Sequence, residues 1–193
     1  MENESQFTDE LRIASDLFQE ERYEEAFERY RVLAENGSVS SQVLLGWMYH
    51  AGKGVQQSLE EAEKWYRKAA ATNSPEGQFY LATVHRTKQN YDEAIEWLGK
   101  SASQDYSPAI YLLGKLYYTG EGVIVNRAKA FEYFERAAQK GHLFAQRNIA
   151  YDMIKGHRGI FRIALGVLIL AQVLWSAVKV GLKDPDSNVV RRH

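Results

Sequence analysis

Cysteine is absent from this 193-residue chain. Its absence excludes disulfides, thiol nucleophiles and cysteine metal sites together. It says little about compartment, because a reducing cytosol tolerates cysteine without requiring it. Proline is scarce, at three residues, which favours long helices over a strand-and-turn architecture. Phosphate loops are missing as well. Gly52-x-Gly54 and Gly120-x-Gly122 carry neither the Lys-Ser/Thr ending of a P-loop nor the full dinucleotide fingerprint. The five histidines, His50, His85, His142, His157 and His193, show no metal-ligand spacing with one another. Overall charge is nearly balanced, at a formal −1, and no strong basic stripe of a nucleic-acid binder is present. The N-terminal MENESQFTDELRIA lacks the apolar core of a secretory signal peptide. Carboxylate clusters occur at Glu24-Glu25 and around Glu60, Glu61 and Glu63. Both fall where second helices of a repeat begin, so they suit the helix dipole better than acid–base chemistry. No catalysis, cofactor, metal, nucleic acid or small-molecule substrate is expected.

What the chain does contain is aromatic residues: twelve tyrosines, eight phenylalanines and four tryptophans. Such side chains dominate both cores and interfaces. A hydrophobic content of 45% is enough for a sizeable core. Charge is distributed unevenly. Residues 1–40 hold eleven acidic and four basic side chains, the remainder fourteen and twenty. An acidic start followed by a mildly basic body is either a way to orient a partner or simply solvated helix surface.

The small residues keep time. Alanines recur at Ala26, Ala62, Ala94 and Ala130, with aromatics in step at Tyr30, Trp65 and Tyr66, Trp97, Tyr133 and Phe134. A second series, Gly46, Ala82, Gly114 and Ala150, follows the same spacings, with Leu45, Leu81, Leu113 and Ile149 one residue ahead. Each unit reads as two helices at three-and-four spacing. Glycine inside a helix costs propensity, and Gly46 and Gly114 make sense where a neighbouring helix approaches closely. The turn Gly52–Val55 and its copy Gly120–Val123 end the first helices.

The segments LLGWMYHAGKGVQQSLEEAEKWYRKAA and LLGKLYYTGEGVIVNRAKAFEYFERAAQKG resemble Sel1-like repeats, relatives of tetratricopeptide repeats. The resemblance covers roughly residues 7–157. The middle unit, GQFYLATVHRTKQNYDEAIEWLGKSA, lacks four residues and the Gly-x-Gly turn, and looks like an ordinary tetratricopeptide unit, as does the first. The last unit has a recognisable first helix, Ala145–Lys155, after which the sequence turns almost wholly apolar. An all-α solenoid of stacked helix pairs is therefore expected, with a concave side that binds segments of other proteins. The resemblance implies the same role, a scaffold or adaptor without chemistry.

Three positions in each first helix lie opposite the consensus core positions, at about 100° per residue. They supply the candidate partner-binding residues Val43, Trp47 and His50; Phe79 and Arg86; Tyr111, Lys115 and Tyr118; Arg147 and Tyr151. Large aromatics and arginine are the residues enriched at binding hot spots. The competing reading is that these aromatics pack between neighbouring first helices.

Residues 159–182 form a hydrophobic helix in this reading, followed by a polar tail at 183–193. Only Gln172 and Ser176 are polar between Arg162 and Lys179, a stretch of roughly 24 Å as a helix. A bilayer core is about 30 Å thick. Three readings stand open: a single-pass anchor, a helix lying in the membrane surface, and a buried helix capping the array where the last unit's second helix belongs. The expectation is thus an adaptor with protein partners, tethered to a membrane, its repeats facing the cytoplasm. The alternatives are a structural subunit of a larger membrane complex, associating through the apolar helix, and a soluble cytoplasmic protein.

Overall fold

Seven helices of equal length, thirteen residues each, form the middle of the chain: α2 (Tyr23–Glu35), α3 (Val39–Ala51), α4 (Leu59–Ala71), α5 (Pro75–Thr87), α6 (Tyr91–Ser103), α7 (Ser107–Thr119) and α8 (Arg127–Gln139). They are preceded by the longer α1 (Glu2–Gln19) and followed by α9 (Leu143–Ile154) and α10 (Ile163–Lys183). The computed structural model describes the backbone of residues 2–155 and 163–183, and the side chains of 7–155 and 163–179. Every regular element among these residues is α-helical. The chain divides into two compact units, Met1–Tyr106 with α1–α6 and Ser107–His193 with α7–α10.

Short polar residues start the helices. The Ser41 N–H donates to Ser38 Oγ (3.3 Å), Glu61 N–H to Ser58 Oγ (3.2 Å), Gly77 N–H to Ser74 Oγ (3.1 Å) and Lys129 N–H to Asn126 Oδ1 (3.0 Å). Each satisfies a donor that has no partner within its own helix. At α9 a histidine does the same work, with Ala145 N–H donating to His142 Nδ1 at 3.4 Å.

In the first unit, α1/α2, α3/α4 and α5/α6 are packed pairs, and α2 stacks on α3 and α4 on α5. The repeat's small residues let these helices meet. A Cβ on Gly46 would lie 2.7 Å from the ring of Tyr66, which is fully buried. Ala62, Ala69 and Leu81 fill the core around that ring. The α3–α4 loop needs glycine for two reasons at Gly54: φ is +70°, and a Cβ would lie 2.2 Å from the Tyr23 carbonyl oxygen at the start of α2. The shortened α5–α6 pair has no such loop. Its turn instead puts Gln89 at φ 62°, where a side chain is strained.

In the second unit α7 pairs with α8, α8 stacks on α9, and α9 pairs with α10. A Cβ on Gly114 would meet Phe134 at 2.7 Å and the Ala130 carbonyl oxygen at 3.1 Å. The last pair repeats this relation with the glycine moved across. Ala150 holds the place of Gly114, Gly166 the place of Ala130, and a Cβ on Gly166 would lie 2.8 Å from the Ala150 carbonyl oxygen. So α10 stands where the second helix of a fifth pair belongs, the place the capping reading gives it, although its outer side is exposed and not buried. Gly166 continues the alanine series, a step hidden in the sequence by the change of residue.

The single-pass expectation for 159–182 gains nothing from this geometry. Among the described residues no helix is long and apolar enough to cross a membrane. The buried side of α10, with Gly166 and Val173, is committed to protein. Residues 159–162 and the tail beyond Lys183 lie outside the described residues.

Candidate protein-binding site

In the first unit the predicted face is mostly interior. Val43 is 5% exposed and belongs to the core with Tyr66 and Leu81. It offers no surface to a partner, because α3 is flanked on that side by α5. Trp47 is half-buried, edge-on to Phe18 of α1 at 5.7 Å. Phe79 is half-buried between Tyr80 (5.2 Å) and Tyr106 (5.6 Å). Burial lowers the pKa of His50, whose carbonyl accepts from Gln57 Nε2 at 2.7 Å. Arg86 is half-buried. Trp47 thus packs against a neighbouring first helix, and Phe79 against its own helix neighbour and the residue that precedes α7.

The second unit differs. Tyr111 is again a packing residue, stacked on His142 at 4.3 Å and tilted against Phe134 at 5.6 Å. Its hydroxyl accepts from Asn148 Nδ2 at 3.5 Å. Burial pushes the His142 pKa down to about 4, which keeps the imidazole neutral and able to accept at the cap of α9. Arg147 lies over the ring of Phe144 at 5.0 Å. Tyr118 and Tyr151, by contrast, are 41% and 50% exposed, and Lys115 is exposed beside them on α7.

These two tyrosines line an open groove of about 330 Å³ floored by Phe131 and Phe134, with Asn148, Asp152 and Lys155 also lining it. Tyr118 meets Phe131 edge-on at 6.2 Å and is covered on one side by Arg127, 5.4 Å from its ring. The groove has apolar walls and polar groups of both signs, the composition of a patch that takes a side chain or short segment of another protein. Its charged members could orient that segment. Among the described residues no group of three or more histidine, aspartate or glutamate side chains is placed to hold a metal.

Four of the groove's residues escaped the sequence pattern: Phe131, Asn148, Asp152 and Lys155. Phe131 left a trace. It follows Ala130 at a place where α4 has Glu63, an apolar residue where the earlier helix carries a charge. The other three, Asn148 and Asp152 on α9 and Lys155 at its C-terminal cap, lie between the repeat's periodic positions and carry no spacing signal.

The comparisons with known proteins agree with this architecture. Sel1 repeats match residues 39–73, 75–106 and 107–142, just over half of the chain. An uncharacterized protein of Neisseria meningitidis serogroup B is 34% identical over 123 residues, covering 63% of this chain and 26% of that protein. An exopolysaccharide production negative regulator of Rhizobium meliloti is 28% identical over 145 residues, 63% of this chain and 52% of its own length. This chain therefore spans only a quarter to a half of these curated relatives. The crystal structure of a Sel1 repeat protein from Oxalobacter formigenes superposes with a TM-score of 0.73 at 29% identity, over 86% of this chain and 72% of that one.

Proposed function

We propose that this chain, which belongs to the Sel1 repeat family, is a protein–protein interaction scaffold whose second unit grips a partner through the Tyr118–Tyr151 groove. The observation that carries the reading is the pair of exposed tyrosines over a phenylalanine floor, where the candidate aromatics Trp47, Phe79 and Tyr111 are used for packing. Exposed aromatics supply large contact area at little cost in conformational freedom. Of the sequence candidates, Lys115, Tyr118, Arg147 and Tyr151 form the partner-facing set. Val43, Trp47, Phe79 and Tyr111 hold the framework. The likeness to an exopolysaccharide regulator supports a setting in envelope polysaccharide production.

The scaffold reading has a second part: α10 holds the chain at a membrane. Its support is the outer side of that helix, where six large apolar side chains stand exposed. The decisive experiment for the groove is affinity purification of the full chain from solubilised cells, beside a Tyr118→Ala/Tyr151→Ala variant. Specific partners retained by the wild type and lost by the variant, at an unchanged thermal melt, support the groove. Equal capture by both sinks it.

A further inference from the structure

We infer that α10 lies in the plane of an anionic lipid surface, its inner side on α9 and its outer side in the headgroup region. The inference rests on the tethering part of the proposed function and names the mode and the lipid. Along α10 the buried positions Gly166 and Val173 are one heptad apart and face α9, where Ala150 and Met153 meet Gly166. Between and beyond them the exposed positions are apolar: Leu165, Val167, Leu168, Leu174, Trp175 and Val178. Leu168 and Trp175 are 67% and 62% exposed. Half of the exposed large apolar side chains among the described residues sit on this one helix. Apolar patches of that kind mark a covered surface.

Three observations decide what covers it. The first is Leu174. In the other second helices the equivalent residue is alanine, at Ala34, Ala70, Ala102 and Ala138. Ala34 and Ala70 are buried in helices that stack on the first helix that follows, and Ala138 is half-buried in α8, which stacks on α9. A leucine at that place stands too far off the helix for the same close stacking, so the face is not built to receive another repeat. The second is charge. From Met153 to Lys183 the sequence has five basic residues, Lys155, Arg158, Arg162, Lys179 and Lys183, and no acidic one. Two copies meeting through this stretch would double its uncompensated positive charge. An anionic headgroup layer neutralises it. The third is the pairing of Trp175 with Lys179, whose Nζ lies 5.7 Å from the indole ring. Tryptophan and lysine side by side suit the boundary between acyl chain and headgroup. Crossing is disfavoured because one side of α10 is already occupied by α9.

The test is flotation of the full chain with phosphatidylcholine vesicles, with and without phosphatidylglycerol. The expected result is binding that requires phosphatidylglycerol, is weakened by salt, and is removed by alkaline carbonate. Lys179→Gln should weaken partitioning about five-fold. Leu168→Asp should abolish it, with no fall in melting temperature, because Leu168 is 67% exposed. Quenching of tryptophan fluorescence by brominated lipid should disappear in Trp175→Phe. Binding that ignores phosphatidylglycerol and resists carbonate would mean an inserted helix: the in-plane inference falls and tethering survives. A monomer that binds neither vesicle ends both. A dimer that Leu168→Asp dissociates, without vesicle binding, assigns the face to a second copy and likewise ends both.

Discussion

Gly166 rests on the backbone of Ala150, so closely that a Cβ at position 166 would lie 2.8 Å from the Ala150 carbonyl oxygen. The α7/α8 pair has the mirror arrangement, Gly114 against Ala130. One glycine and one alanine therefore set the closest approach in both pairs. Gly166→Ala is expected to destabilise the second unit by about 1–3 kcal/mol, the cost of overpacking. Adding Ala150→Gly should restore part of the loss by recreating the Gly114/Ala130 arrangement. Thermal melts of the two single variants and the double variant measure the coupling. Additive losses would contradict this account of the contact.

Groove residues and framework residues should separate in stability. Tyr151→Ala removes a half-exposed ring and should shift stability by no more than about 0.5 kcal/mol. Tyr111→Ala deletes a ring stacked on His142 and tilted against Phe134 and should cost about 2 kcal/mol or more. Denaturant titration of both variants checks the contrast.

Acid should weaken the second unit through His142. Burial holds its folded-state pKa at about 4, below the ordinary 6.5. As pH falls through 6.5 the unfolded chain takes up a proton that the folded chain refuses, so stability drops. The loss continues down to about pH 4 and then levels off. The charged form would also surrender the Nδ1 acceptor at the α9 cap. His142→Asn keeps a capping acceptor without a titrating group, and melting temperatures across this window should show a flatter slope for it. Part of the slope remains, because burial also lowers the pKa of His50.

Gln89 turns the chain between α5 and α6 at φ 62°. Gln89→Gly relieves that conformation and should stabilise the first unit by up to about 1 kcal/mol. An unchanged or lower denaturation midpoint would mean that the side chain compensates for the strain.

Helix pairs, their phase and their contact residues were legible in the sequence, because a repeat must bury the same face in every copy. Ala62, Tyr66 and Gly46, or Ala130, Phe134 and Gly114, are found where their spacing places them. The binding face was less legible. Counting along a helix tells which side of it a residue occupies, and Trp47, Phe79 and Tyr111 do share a side with Tyr118 and Tyr151. It does not tell whether a neighbouring helix has already taken that side. Phe18 covers Trp47 and His142 covers Tyr111, while Tyr118 and Tyr151 remain open.

By itself the sequence determined the helical repeat, the absence of cysteine chemistry, and an apolar basic stretch near residues 160–182. Only tertiary structure decided that Gly166 makes this stretch the partner helix of α9, and which of its sides stays exposed. The reason is physical. Periodicity is a property of one helix, read along the chain, whereas exposure depends on the distance between two helices. That distance is set here by glycine and alanine, whose absent or one-carbon side chains leave the weakest mark in a hydrophobic pattern.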